Sequence, residues 1–142
     1  MTIVDSVRKF VSAGTGLSAR RVIRGQDWDR APRDAGGYVA VVITSITSDG
    51  APSIIRKLAA DGASASLFSR VPLLVSCAIH FVRTASPMVD AVRLQSWVQL
   101  PEAIRAADEV GLSVVGNVEV VDMAAVEGPD FQGRARLDLT VA

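Results

Sequence analysis

The sequence predicts an α+β fold, with a mostly antiparallel β-sheet and an N-terminal helix and a central helix pair packed on one face. Three observations carry this reading. Val71, Leu73, Val75, Cys77, Ile79 and Phe81 alternate without a break, and Ala135, Leu137, Leu139 and Val141 do the same, which is the period of a strand with one buried face. Ile3, Val4, Val7, Phe10 and Val11 instead follow the rhythm of one helical face. Between the strand blocks, Pro87 and Pro101 each open a segment that reads as a helix. Strand runs separated by grouped helices place those helices on one side of a sheet. The 142 residues suit one domain spanning 1–142. Folding at that size buries roughly two-thirds of the chain's surface, so the core needs no disulfide or metal.

The elements follow in order. Thr2 to Ala13 reads as the first helix, with Thr2 accepting from a first-turn N–H, Asp5 at the capping-box position, and Gly14 and Gly16 as the stop. Arg20 to Arg24 reads as a short strand, and 25–37 as a charged, turn-rich segment. Tyr38 to Thr47 is rich in β-branched residues. Val39, Val41 and Ile43 share one face while Val42 and Ile46 take the other, so this strand is expected to be central and buried on both sides. Residues 48–69 read as a long, flexible excursion in which Ile54, Ile55 and Leu58 form a short helix. Leu67 to Arg83 reads as one long strand that begins or meets an edge at Pro72. Ser86 is the expected N-cap of the next helix, and Gly111 the C-cap of the one after it. Leu112–Val121 and Arg134–Val141 are the closing strands. The outward row of the last, Arg136, Asp138 and Thr140, is left to solvent or a partner.

Composition narrows the function. Lys plus Arg and Asp plus Glu number 15 each, and this zero balance argues against a general nucleic-acid binder. The apolar stretches fall far short of the ~20 residues of a membrane helix. Asp5 interrupts the apolar block that an export signal would need. The balance conceals an asymmetry. Residues 1–71 hold ten basic and six acidic side chains, a net +4, and residues 72–142 hold five and nine, a net −4. Regions of opposite sign allow copies to attract head to tail, and such contacts close into rings or run on as filaments. The plainer alternative is that the charges mix on one solvated surface.

Catalytic signals are sparse. One His and one Cys exclude a Cys/His zinc cluster. His80 lies mid-strand opposite the apolar row, with no nucleophile placed beside it, and is expected to bond to a neighbour. Cys77 falls on the apolar row, where a thiol behaves as a small hydrophobe. Asp27 and Asp29 flank Trp28, but Arg24, Arg30 and Arg33 would repel a cation there, so a charged loop anchored by Trp28 is the expectation. Arg20, Arg21 and Arg24 could clamp phosphates, yet no aromatic stacking series accompanies them and no glycine loop precedes a helix. No catalytic, cofactor or metal residue is assigned, and a non-enzyme is expected. Trp and Arg are enriched in interface hot spots. The candidate interface set is therefore Arg20, Arg21, Arg24, Asp27, Trp28, Arg30, Arg136 and Asp138. The competing reading is a small enzyme or ligand-binding domain in which Asp27, Asp29 and His80 converge.

The C-terminal third resembles the end of phage neck and tail terminator proteins. A helix ends in Leu100-Pro101-Glu102-Ala103, a second runs into Gly111-Leu112, and a strand leads to Val121-Asp122. An aromatic then precedes Arg134-Ala135-Arg136-Leu137-Asp138-Leu139, similar to the strand that closes that family's domain. The front half is looser: Val22-Ile23-Arg24-Gly25-Gln26 follows the first helix, and Tyr38 opens a strand ending in Thr44-Ser45. That family's turn reads closer to P-x-x-P-Y, whereas here Pro32 stands alone and Gly36-Gly37 precede Tyr38. The resemblance implies a virion protein of the tail or neck, assembled in the host cytoplasm. It implies a ring, commonly hexameric, that caps the tail tube, stops its polymerisation and joins the tail to the head-side connector. The implied partners are further copies of the chain, the tail tube protein, connector or neck proteins and, in a contractile tail, the sheath protein. DNA would pass through the lumen without specific binding. A head–tail adaptor or tail-completion protein of a neighbouring ring is the structural alternative.

Overall fold

A computed structural model describes residues 2–32, 36–48, 53–58, 62, 65–70, 73–82, 84, 86–123 and 134–142. The order is α1 (Ile3–Thr15), β1 (Val22–Arg24), β2 (Tyr38–Ser48), β3 (Ser53–Leu58), β4 (Ala65–Arg70), β5 (Leu73–Val82), α2 (Pro87–Trp97), α3 (Pro101–Glu109), β6 (Val114–Asp122) and β7 (Arg134–Val141). Short 3-10 turns at Ala19–Arg21 and Gly25–Arg30 flank β1. Among the described residues, five strands form one sheet in the order β1-β2-β5-β7-β6, and β3 pairs with β4 alone. All pairings in the larger sheet are antiparallel except β1 with β2, so the sheet is mixed. The α+β class holds, and helices α1, α2 and α3 pack against one face.

That face is built by the alternation. Val75, Cys77, Ile79 and Phe81 of β5 and Ala135, Leu137, Leu139 and Val141 of β7 are buried opposite one another. Val7, Phe10 and Val11 of α1, Ala91 and Leu94 of α2, and Ala103 and Ala107 of α3 close over them. Phe10 meets Trp97 with ring centroids 5.1 Å apart, tilted by 47°, a favourable aromatic geometry. Complete burial of side chains of this size contributes about 1.5–3 kcal/mol each.

Helix α1 runs through Gly14, which does not stop it; Gly16 does. A Cβ at Gly14 would lie 2.6 Å from both Leu94 and Trp97, so hydrogen at this position is what lets α1 and α2 approach. The Thr2 hydroxyl accepts from Asp5 N–H and donates to the Asp5 carboxylate, in place of a reciprocal capping box. Ser86 occupies the N-cap position of α2 but makes no side-chain cap bond. Helix α3 ends as expected: Leu112 N–H donates to Ala107 C=O, Gly111 N–H donates to Asp108 C=O, and Gly111 has φ 74°.

Other expectations need correction. Only Val22–Arg24 of the first strand candidate is extended, because Arg20 and Arg21 belong to a 3-10 turn. The helix expected from Ile54, Ile55 and Leu58 is instead strand β3, paired Ser53↔Arg70 through Leu58↔Ala65. β-branched Ile54 and Ile55 suit that pairing. The 48–69 excursion thus contains a hairpin, and the single strand expected over 67–83 is two, with β5 starting directly after Pro72. Strand β2 is buried on both faces only from Tyr38 to Val41, and residues 44–48 are exposed. Its register slips between Ile43 and Ser45. The extra residue, Thr44, donates its hydroxyl to Ser76 C=O at 3.0 Å. A one-residue slip moves later side chains to the opposite face. Ile46 therefore opposes Val75 on the helix side, not the outer side.

Candidate subunit interface

The eight candidate interface residues fall into two groups. Arg20, Arg21, Arg24, Asp27, Trp28 and Arg30 gather around β1, one edge of the sheet. Arg136 and Asp138 lie on β7, three strands away, on the outer face.

The β1 edge is fastened from two sides. Arg8 of α1 donates through Nε to Val22 C=O at 2.8 Å and through Nη1 to Asp5 at 3.1 Å. The Thr2 hydroxyl and Arg8 together hold the Asp5 carboxyl below its ordinary pKa. Arg21 donates to Gly37 C=O at 2.9 Å, and a Cβ at Gly36 would collide with its guanidinium. Arg21 is thus committed, at least in part, to the subunit's own fold. Arg24 pairs with Asp27 at 2.9 Å. Beneath them, Ile23, Ala31, Tyr38, Ala40 and Val82 form a small second core on the outer face. Ala31 and Tyr38, not Trp28, anchor this segment: Trp28 is 67% exposed. Arg20 and Arg30 are exposed and make no ion pair among the described residues.

On the outer face, Arg136 Nε lies 3.0 Å from Asp138 Oδ1, and Nη2 donates to Oδ2 at 3.3 Å. They border a groove of about 440 Å³ that also touches Thr44, Ser76, Asn117 and Glu119. His80 sits directly opposite Arg136 in the ladder. Its imidazole makes no hydrogen bond among the described residues, contrary to the expectation. Burial, then the Arg134 and Arg136 charges, push its pKa below 6.5. Asp27 and Asp29 lie on the β1-edge turn, and β5 is two strands from β1, about 10 Å across the sheet. The three residues of the enzyme reading are therefore not brought together. Burial pushes the Cys77 thiol up to about 11, so a thiolate is scarce at neutral pH. Among the described residues no three metal-ligating side chains cluster. No helix in them is long and apolar enough to cross a membrane.

None of the eight candidate residues lies on the opposite edge strand, β6. It follows α3, and residues 101–122 carry Glu102, Asp108, Glu109, Glu119 and Asp122 against one Arg105, a net −4. Residues 3–30 carry six basic and three acidic side chains, a net +3. The sequence halves already hinted at this charge split. That it falls on two opposite sheet edges depends on the strand order. Helix α2 also leaves Val89 and Val92 exposed beyond its buried face, and Leu100 is exposed just before α3. The spread of apolar residues around more than one side of α2 was the available signal.

A search of curated proteins finds no match. The family model described as phage neck terminator protein matches residues 1–142, the whole chain. The chain belongs to the phage neck terminator protein family and is a structural protein of the phage tail and neck region.

Proposed function

We propose that copies of this chain close into a ring at the end of the tail tube, stop its polymerisation and present a surface to the head-side connector. The observation that carries this reading is the separation of charge onto two sheet edges of one subunit, net +3 around β1 and net −4 around α3 and β6. A basic edge meeting the next copy's acidic edge repeats in one direction, and a repeating heterologous contact closes when its rotation permits. The β3–β4 hairpin is the second element of the reading. A two-stranded hairpin is marginal in water by itself, so it is assigned to contact a neighbouring subunit or the tube.

Light scattering of the purified protein, followed by negative-stain images with and without tail tubes, tests this. Rings, or discs at the ends of tubes of uniform length, are expected. A monomer that ignores tube ends overturns the proposal. The seam is tested by Arg20→Glu with Arg30→Glu, because Arg21 also serves the fold. This double variant should lose rings while keeping the wild-type melting temperature, and rings of normal size would remove the β1 edge from the seam.

A further inference from the structure

A head-to-tail contact needs two different surfaces that fit each other, and each edge of the sheet presents one. At the β1 edge, Trp28 projects from the 3-10 turn Gly25–Arg30, 67% exposed, with Arg24 and Arg30 beside it. A tryptophan this exposed is unusual in a monomer, and Trp and Arg are the side chains most enriched where interface energy concentrates. At the other edge, α2, α3 and the start of β6 enclose a groove of about 680 Å³. Its floor is apolar, with Val98, Ala103, Ala107 and Leu112. Ile104 stands at its wall, 60% exposed, and Asp108 supplies negative charge. Glu102 and Glu109 share α3 with Asp108, and none of the three makes an ion pair among the described residues.

We infer that this groove receives Trp28 of a neighbouring copy, with Arg30 of that copy meeting the α3 carboxylates. The inference rests on the ring reading and specifies its seam. Size, polarity and charge all agree. The groove falls within the range of volumes that hold a bound organic group, so it has room for an indole. Its floor offers apolar contact to the ring. Arg24 is already paired with Asp27 and Asp29 adjoins Trp28, so the sign opposite to the acidic rim comes from Arg30 together with the rest of the net +3 segment 3–30. The two surfaces lie at opposite ends of the strand order, so one subunit uses both at once. A two-fold dimer through either surface alone would set like charges against each other.

The test uses two single variants and their mixture. Trp28→Asp places a carboxylate against the acidic groove, and Ile104→Arg fills the groove and repels Arg30. Both positions are exposed, so melting temperatures should match wild type. Each variant alone is expected to associate more than about tenfold more weakly, the scale of an interface hot spot. Mixed in equal amounts, they retain one intact pairing, Trp28 of the Ile104→Arg chain with the groove of the Trp28→Asp chain. Light scattering should then show a species of two chains and no ring. Rings persisting in either single variant overturn the pairing and leave the ring reading standing. Loss of rings in both, with a mixture that stays monomeric, also overturns the pairing. A wild-type protein that is monomeric even with tail tubes overturns both.

Discussion

The two edges of the sheet are blunted by different means. Strand β1 is three residues long and ends in a 3-10 turn on each side, so few backbone groups remain for another strand. Strand β6 is nine residues long, but its register with β7 jumps between Val115 and Glu119. Three residues, 116–118, stand against Leu139 alone. Gly116 takes φ 70° there, a conformation that other residues adopt with strain. The Gln95 side chain donates to the freed Val118 C=O at 2.7 Å. Short edges and bulges are how sheets avoid unwanted strand addition. The comparison teaches that neither edge favours continuing the ladder, so a partner at either edge would have to be met by side chains, by charge and shape. A contact of that kind is specific and does not propagate a sheet indefinitely.

The strongest challenge to this comparison is a change beneath both edges. Phe10→Ala removes a fully buried ring between α1 and α2 and should cost about 3–5 kcal/mol by chemical denaturation. A loss under 1 kcal/mol would mean the helix layer does not brace the sheet as described. Gly14→Ala acts on the same helix crossing. The added methyl gains about 1 kcal/mol of helix propensity but must displace Leu94 and Trp97. Overpacking of this kind costs about 1–3 kcal/mol, so a net loss is expected.

The edges themselves can then be compared directly. Arg8→Met removes a charged donor from Val22 C=O, and Gln95→Met removes a neutral one from Val118 C=O. Hydrogen bonds from charged groups contribute more, so Arg8→Met should cost about 1.5 kcal/mol and Gln95→Met about 1. The reverse order would show that the β6 bulge, not the Arg8 tether, is the tighter fastening. Gly116→Ala should cost about 1 kcal/mol through its positive φ.

The smallest effect is the pH response of the outer face. His80 has its pKa lowered in the fold, so the unfolded chain holds its proton to higher pH. Stability should therefore fall as pH drops below 6.5 and level off below the folded value. His80→Gln should flatten that slope in denaturation curves taken between pH 7 and 5. An unchanged slope would assign it to other groups.

Local patterns were legible in the chain. The period-two rows of β5 and β7, the α1 stripe, the Thr2 cap and the Gly111 ending all depend on neighbours within a few residues. The charge split between the chain halves was equally plain, as was the resemblance carried by residues 100–139. What failed lay where a short stretch had two local solutions. Ile54, Ile55 and Leu58 fit either a helical turn or a strand, and pairing with β4 decided for the strand. A charged loop anchored by Trp28 is the local expectation, yet Ala31 and Tyr38 fill the space beneath the turn and Trp28 stays exposed.

The sequence by itself determined the types of α1, α2, α3, β2, β5, β6 and β7, the inward rows of β5 and β7 and the net charge of each region, because side-chain period, caps and composition are local properties. Only the tertiary structure decided which side of the sheet Ile46 joins, which strands become edges and which charges share an edge. Those outcomes depend on strand order and on where the Thr44 and Gly116 bulges interrupt the ladder. A bulge is placed by the partner strand as much as by its own residues, so a single run of sequence does not reveal it.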